Sequence, residues 1–144
     1  MKNLNKEDYK ICIVGLGYVG LPLAARFALK GFYVTGFDIN EDRINQLVNK
    51  IDINNDISNS NLETLVKNSK LTSNIDEIEE SNIFIITVPT PINEDKTPDL
   101  EPLIASSKLV GSIINKGSIV IYESTVYPGV TDEICTPILE EKSS

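Results

Sequence analysis

Three glycines at fixed spacing are the first residues in this sequence that could do chemistry. The G-x-G-x-x-G motif comprises Gly15, Leu16, Gly17, Tyr18, Val19 and Gly20. Between a strand and a helix, the first glycine permits a tight turn, the second lets a pyrophosphate approach the backbone, and the third lets the helix pack closely. Free amides and the positive end of the helix dipole then bind the phosphates. In that context the motif predicts a dinucleotide-binding loop.

Two charged residues follow the glycines at a distance that suits recognition of adenosine. Asp38 comes 23 residues after Gly15, close to the ~20 residues expected for the acid that binds the ribose hydroxyls. A carboxylate there repels a 2′-phosphate, so Asp38 favours NAD over NADP as the cofactor. The alternative is a solvated aspartate in a turn. Arg43 lies either beside the adenine or on a helix surface as a solvated cation.

Two later segments carry prolines and hydroxyls that could border a nicotinamide. The first is Val88-Pro89-Thr90-Pro91, and the second is Glu123-Ser124-Thr125-Val126-Tyr127-Pro128-Gly129. Each follows a predicted strand, at the sheet edge where ligands of doubly wound folds bind. Their hydroxyls could bond to a nicotinamide ribose, a carboxamide or a positioned water. The alternatives are a proline-rich turn for the first segment and a helix cap at Ser124 or Thr125 for the second.

Composition excludes several other chemistries. The 144 residues carry a formal net charge of −8 and a mean hydropathy of −0.06, which argue against nucleic acid and membrane partners. Histidine is absent, which removes His-based nucleophiles and bases and His-ligated zinc. Cys12 and Cys135 form neither a disulfide framework nor a C-x-x-C metal site, so we expect both to fill buried faces and expect no metal. The amino terminus lacks the apolar segment of a signal peptide, so we expect a cytoplasmic protein.

The elements that must position these residues alternate between strands and helices. Apolar runs predict five strands, at 10–14, 33–37, 71–73, 83–88 and 118–122. Amphipathic spacing predicts helices between them and a last helix over about 130–141. This alternation produces right-handed crossovers and a parallel sheet covered on both faces. The predicted fold class is therefore α/β, a doubly wound, Rossmann-like sheet with strand order 3-2-1-4-5.

Local signals predict where several elements begin. Helical spacing places four apolar residues on one face of the first helix, namely Leu16, Val19, Leu23 and Phe27. Asn40 is expected to cap the second helix, and capping-box spacing that starts at Ser60 is expected to open the third. Residues 1–8 are predicted to be a loose polar tail, 50–59 a loop, and 9–144 one NAD-binding domain.

Four motifs occur together in this chain: GLGYVGLPLA, FDIN, VPTP with the following PDL, and YESTVYPG. Their combination resembles the amino-terminal domain of the UDP-glucose/GDP-mannose dehydrogenase family, from about residue 10 to the end of the chain. The YESTVYPG form is most similar to UDP-N-acetylhexosamine 6-dehydrogenases, which make uronic acids for surface polysaccharides. The resemblance implies an enzyme that reduces two NAD while it oxidises the C6 alcohol of a UDP-sugar to a carboxylate.

The resemblance also implies roles for particular residues. Gly15 to Gly20, Asp38 and Arg43 match the adenosine and pyrophosphate contacts of the family. Val88 to Pro91 and Ser124-Thr125 match residues near the nicotinamide, and Thr125 matches a threonine that helps to position the catalytic water.

The chain departs from the family in what it lacks. It stops before the sixth strand, the central helix, the sugar-binding domain and the cysteine that carries the thiohemiacetal and thioester intermediates. We therefore expect residues 1–144 to bind NAD and to catalyse nothing, and the full-length enzyme to be a homodimer that binds the UDP-sugar through the missing domains. The segment 53–57 also lacks the arginine and glutamate usual in the subgroup.

Two alternative functions share the predicted fold. A non-catalytic NAD-sensing domain, resembling those that regulate potassium channels, has the glycine motif and the acidic residue but gives no reason for VPTP or ESTVYPG. The cofactor domain of a β-hydroxyacid or phosphogluconate dehydrogenase uses the same fold for other substrates. The double-proline loop and the tyrosine-proline-glycine after Ser124-Thr125 argue against that second alternative.

Overall fold

The computed structural model describes residues 5–143 and is built around one five-stranded parallel sheet. The strands are β1 (Ile11–Val14), β2 (Val34–Phe37), β3 (Lys70–Thr72), β4 (Ile83–Ile86) and β5 (Ile119–Tyr122). Their spatial order is β3-β2-β1-β4-β5, and every neighbouring pair is parallel. The doubly wound α/β class and the strand order predicted from the sequence are therefore confirmed. The order reverses between β1 and β4, which places the switch point at the carboxyl end of β1.

Helices cover both faces of the sheet. They are α1 (Gly20–Leu29), α2 (Glu41–Val48), α3 (Asn59–Asn68), α4 (Glu101–Gly111) and α5 (Thr136–Lys142). Helix α1 packs on α3 on one face, and α4 packs on α5 on the other. Within residues 5–143, no helix combines the length and the apolar composition needed to cross a membrane.

Strand β1 divides its side chains between two cores because successive side chains of a strand point to opposite faces. Ile11 and Ile13 pack with residues of α1 and α3, whereas Cys12 and Val14 pack with residues of α4 and α5. Cys135 belongs to the second core as well. Both cysteines are buried and free, and burial raises the pKa of the Cys12 thiol to about 12. The expectation that the cysteines fill buried faces is confirmed.

Several helix ends differ from those predicted. Leu16 and Val19 precede α1, which begins at Gly20, because the chain is still turning out of β1 at Gly15. The cap of α3 is Ser58, whose hydroxyl accepts from the amide of Asn61, so the capping box predicted at Ser60 was wrong. The cap of α2 at Asn40 is confirmed: its side chain accepts from the amides of Asp42 and Arg43.

Both ends of the described chain also differ from expectation. Lys6–Asp8, predicted as part of a loose tail, form a 3-10 turn, and the ammonium of Lys6 donates to the carbonyl of Lys30. Residues 1–4 of that tail lie outside the described residues. At the other end, the predicted last helix is a π-helical turn at Thr131–Cys135 that runs into α5.

Candidate dinucleotide-binding site

A cavity of about 420 Å³ opens at the carboxyl ends of β1, β2 and β4. Its lining combines backbone of the glycine loop (residues 15–20), the acid after β2 and apolar residues from the β4–α4 side. Among the lining residues are Gly15, Gly17, Asp38, Ile39, Val88, Pro89 and Pro102. The wall is mostly apolar with one carboxylate, an arrangement suited to a flat heterocycle with an attached ribose.

The three glycines occupy three different environments in the loop. Gly15 has φ of +98°, a left-handed conformation that permits the turn out of β1. A Cβ on Gly17 would meet no atom within 4 Å, so its backbone faces open space. A Cβ on Gly20 would lie 1.8 Å from the carbonyl oxygen of Gly15 and 2.4 Å from Oγ1 of Thr87. The loop is thus turned at the first glycine, open at the second and closely packed at the third.

Thr87 supports the glycine loop from the neighbouring strand, a role that the sequence analysis missed. Its buried hydroxyl lies 2.7 Å from the carbonyl oxygen of Gly15 and 3.1 Å from that of Val14. A threonine directly after β4 can reach the loop because β4 is the parallel neighbour of β1. The signal in the sequence is a hydroxyl residue near the end of an otherwise apolar run, at 83–88.

Asp38 lies at the end of β2, lines the cavity and also contacts the loop. One carboxylate oxygen accepts from the amide of Leu16 at 2.8 Å, and the other accepts from the amide of Asn40 at 2.9 Å. Each oxygen has a second lone pair, so the carboxylate can also accept from the hydroxyls of a ribose. Asp38 is therefore an ordered, half-buried group that faces a cavity, and the alternative of a solvated turn aspartate does not describe it.

Arg43 is neither a surface cation nor a lining residue of the 420 Å³ cavity. Its Nε donates to the carbonyl of Leu16 at 3.1 Å. Its two terminal nitrogens donate to Asp52 at 2.9 Å and to Asp56 at 3.2 Å. The side chains of Arg43, Asp52 and Asp56 are only 10%, 3% and 13% exposed. Burial in an ion cluster beside the Leu16 carbonyl excludes the solvated surface cation, whereas a place for Arg43 beside the adenine stays a prediction.

The ionisation of Asp52 reflects this cluster. Burial alone would raise the pKa of its carboxyl group. The hydrogen bond from Arg43, its positive charge and the amides of Ile57 and Asp56 outweigh burial and lower the pKa below its ordinary value of 3.8. Asp52 is therefore a carboxylate at neutral pH and neutralises Arg43. The Asn- and Asp-rich composition of residues 50–59 predicts only a loop and does not indicate this ion pair.

The two segments predicted to border a nicotinamide meet on the other side of the glycine loop. The hydroxyl of Ser124 donates to the carbonyl of Val88 at 2.6 Å, and that of Thr90 donates to the carbonyl of Thr125 at 2.8 Å. These reciprocal bonds hold the loops after β4 and β5 together. Since Ser124 bonds to Val88 and the next helical turn begins at Thr131, the alternative of a helix cap is wrong for Ser124.

A second, small cavity of about 20 Å³ lies between these segments and the glycine loop. It is lined by Tyr18, Val19, Thr87, Val88, Pro89, Thr90, Glu123, Ser124 and Thr125. The side chain of Thr125 is exposed here, whereas Pro91 lines neither of the two cavities. The predicted site residues therefore fall on two sides of the glycine loop. Leu16 lines neither cavity, and its backbone amide donates to Asp38 while its carbonyl accepts from Arg43.

The described residues 5–143 give little evidence for a metal site or for a second ligand site. No group of three or more acidic, Cys or His side chains there is arranged to hold a metal ion. A further cavity at the amino-terminal edge of the sheet has among its lining residues the ion pairs Lys10–Glu80 and Lys70–Glu77.

Comparison with known proteins gives relatives over almost the whole chain. Residues 9–144 match the model of the UDP-glucose/GDP-mannose dehydrogenase family, NAD binding domain. Over 137 residues, the chain is 53% identical to UDP-N-acetyl-D-glucosamine 6-dehydrogenase of Salmonella typhi. The aligned residues make up 95% of this chain and 32% of that protein. The protein of the same name from Pseudomonas aeruginosa is 50% identical over 137 residues, with the same coverage of 95% and 32%.

The comparison with solved structures agrees with the sequence comparison. The UDP-D-ManNAc dehydrogenase of Pyrococcus horikoshii has a TM-score of 0.85 at 33% identity, over 93% of this chain and 32% of that one. The chain spans about a third of the length of the curated relatives it matches.

Proposed function

The chain belongs to the UDP-glucose/GDP-mannose dehydrogenase family, and we propose that it provides the NAD-binding part of a nucleotide-sugar 6-dehydrogenase. The full enzyme oxidises the C6 alcohol of a UDP-sugar, a UDP-N-acetylhexosamine, to the uronate in two hydride transfers. The observation that carries the proposal is a pair of cavities, of about 420 and 20 Å³, that share Thr87, Val88 and Pro89 in their linings. An apolar cavity with a carboxylate lies on one side of an open glycine loop, and a hydroxyl-lined cavity lies on the other.

On the first side, the chain's own residues fit an adenosine diphosphate. The Asp38 carboxylate has lone pairs free for ribose hydroxyls, and its charge repels a 2′-phosphate. The open space at Gly17 lets a pyrophosphate reach the amides that begin α1, where the helix dipole favours negative charge. Val88 and Pro89 contribute apolar surface to the same cavity.

On the second side, bound NAD supplies a nicotinamide ring that accepts hydride from the alcohol. The hydroxyls of Ser124 and Thr90 fix the two loops, so the backbone around the ring is held before the cofactor arrives. The exposed Thr125 would then be free to orient the water that hydrolyses the thioester after the second hydride transfer, the role that its match to the family implies.

The covalent step of the proposed reaction needs a thiol that reaches the aldehyde. Cys12 and Cys135 are both buried, and burial raises the pKa of the Cys12 thiol to about 12, so neither side chain can reach the aldehyde. Residues 1–144 alone are therefore expected to bind NAD without turnover. The sugar nucleotide and the catalytic cysteine belong to segments such as those that make up the other two thirds of the relatives.

We also propose that the full-length enzyme is a homodimer that works in the cytoplasm, in the synthesis of surface polysaccharide. Strand β5 lies at an edge of the sheet, and its Ile119 and Ile121 are 54% and 37% exposed. An apolar edge of this kind favours packing of further chain, such as the family's sixth strand, against β5. The acidic balance of the chain supports neither nucleic acid nor membrane as a partner.

The proposed activity is tested by the absorbance of NADH formed from NAD and UDP-N-acetylglucosamine by the full-length enzyme. We expect two NADH for each sugar consumed and a uronate product by mass spectrometry. Residues 1–144 alone are the matched control and should form no NADH. Formation of one NADH per sugar would contradict the two-step oxidation, and no NADH with any UDP-hexose or UDP-N-acetylhexosamine would favour a non-catalytic NAD sensor instead.

A further inference from the structure

Two side chains from opposite sides of β1 bond to the same peptide unit of the glycine loop, the one that joins Gly15 to Leu16. Its carbonyl oxygen, on Gly15, accepts from the hydroxyl of Thr87 at 2.7 Å. Its N–H, on Leu16, donates to the carboxylate of Asp38 at 2.8 Å. Thr87 follows β4 and Asp38 follows β2, the two strands that flank β1. This peptide unit is therefore held at both of its polar ends.

We propose that Thr87 is a positioning residue for the cofactor: through the Gly15–Leu16 peptide, its hydroxyl fixes the orientation in which the Asp38 carboxylate meets the ribose. Thr87 is only 6% exposed and its hydroxyl bonds to the loop, so it acts through the peptide and not as a ligand of the ribose. The inference rests on the proposed function, since it assumes that the cavity beside Asp38 binds NAD.

The single hydrogen of the Thr87 hydroxyl has two carbonyl oxygens within reach. The carbonyl of Val14 is the more distant at 3.1 Å, and it already accepts from the backbone amide of Thr87 at 2.9 Å. The carbonyl of Gly15 is closer, at 2.7 Å, and within residues 5–143 no other donor bonds to it. The hydroxyl therefore donates to Gly15, and this carbonyl depends on Thr87 for its partner.

A peptide unit transmits a change at one end to the other because it is planar and rigid. The Gly15–Leu16 peptide is trans, so its N–H points away from its carbonyl, and a turn of the plane moves both. Gly15 has no Cβ and offers little resistance to such a turn. A carbonyl that loses its donor inside the fold is costly, which favours a turn towards water. Loss of the Thr87 hydroxyl would therefore draw the Leu16 amide away from Asp38.

The carboxylate of Asp38 is oriented by two hydrogen bonds, one on each oxygen. One oxygen accepts from the amide of Leu16 at 2.8 Å, and the other accepts from the amide of Asn40 at 2.9 Å. With the bond to Asn40 alone, the carboxylate could turn, and ordering it against the ribose hydroxyls would cost binding free energy. NADH uses these hydroxyls, whereas the 2′-phosphate of NADPH gains nothing from Asp38. The loss should therefore be larger for NADH than for NADPH.

The test compares the dissociation constants of NADH and NADPH, measured by cofactor fluorescence on the full-length protein. Thr87→Val removes the donor and keeps the branched shape, and Thr87→Ser keeps the donor. Thr35→Val is the matched control, because Thr35 is a buried threonine of β2 that lines the cavity at the opposite, amino-terminal edge of the sheet.

In Thr87→Val we expect the dissociation constant to rise about tenfold for NADH and about threefold for NADPH, so that the preference for NADH shrinks about threefold. Thr87→Ser and Thr35→Val should stay within about twofold of the wild type for both cofactors. If Thr87→Val fails to fold, Thr87→Ala removes the same donor without adding bulk and should change the preference in the same direction.

A purely structural role of Thr87 predicts a less stable protein whose folded form binds both cofactors as the wild type does, and that result would overturn the inference. Equal losses for NADH and NADPH would overturn it too, because the effect would then not pass through Asp38. The same holds if Thr87→Ser binds NADH as weakly as Thr87→Val. These three results leave the NADH site standing, whereas absence of NADH binding to the wild type would overturn the proposed function and this inference together.

Discussion

Replacement of Gly20 by alanine tests whether α1 is seated on the glycine loop as the structure shows. The new Cβ would lie 1.8 Å from the Gly15 carbonyl oxygen, against an ordinary contact of 3.4 Å or more, so backbone has to move by about 1.6 Å. Alanine gains about 1 kcal/mol in helix propensity. Overpacking against a fixed backbone costs about 1–3 kcal/mol, and displacement of the Thr87 hydroxyl from its carbonyl partners costs about 1 kcal/mol more.

The steric costs outweigh the gain in propensity because the obstacle is backbone of a turn that Gly15 holds at φ of +98°. We expect the free energy of unfolding, measured by urea denaturation, to fall by about 1–3 kcal/mol. Gly17→Ala is the matched control, since no atom lies within 4 Å of its Cβ position. It should change stability by less than about 0.5 kcal/mol but weaken NADH binding about tenfold or more, because its methyl group occupies the path of the pyrophosphate. A Gly20→Ala protein as stable as the wild type would refute the packing argument, and unchanged NADH affinity in Gly17→Ala would refute the assigned path.

Three further changes test other parts of the structure. Thr90→Val should lower the free energy of unfolding by about 1 kcal/mol because it removes the hydroxyl that donates to the carbonyl of Thr125. Thr90→Ser keeps this donor and should leave the stability unchanged. Equal stability of the two variants would exclude the bond between the loops. Because the pKa of Asp52 is lowered below 3.8, its carboxylate stabilises the fold above that value and loses this contribution as the pH falls through the lowered pKa. The difference in unfolding free energy between the wild type and Asp52→Asn should therefore be constant from about pH 6 to 8 and shrink towards about pH 3, and a difference independent of pH would contradict the ion pair. In residues 1–144, Cys12 and Cys135 should resist a thiol reagent in native buffer and react together in denaturant, and rapid native labelling would contradict their burial.

The sheet and the glycine loop could be predicted because their signals are local. Short apolar runs and the spacing of Gly15, Gly17 and Gly20 specify a strand, a turn and a helix without knowledge of distant residues. The strand order follows from the handedness of the crossovers, and the family follows from four motifs taken together. Both predictions are confirmed.

The errors at element ends have one physical origin. Leu16 has helical spacing from Leu23 and is buried, but it lies in the turn before α1 because burial there does not require helix. Ser58 and Ser60 are both acceptable caps by residue type, and the structure uses Ser58, whose backbone is extended while Ser60 is already helical. Apolar periodicity reports which side chains face the core and not where a helix begins.

The contacts that support the site could not be predicted from the sequence because they join segments that are far apart along the chain. Thr87 bonds to residues more than 70 positions away, and Arg43 pairs with acids in a segment that looked like an ordinary polar loop. Motif spacing located the groups expected to face the cofactor. The residues that hold these groups in place could be identified only in the folded structure.

The most direct test of the NAD site is a titration of the protein with NADH and, separately, NADPH, followed by the fluorescence of the nicotinamide, since the chain contains no tryptophan. The account predicts saturable binding of NADH, at least about tenfold tighter than NADPH, which is lost in Asp38→Ala and retained in Asp42→Ala. Equal affinity for the two cofactors, or full NADH binding without the Asp38 carboxylate, would contradict it.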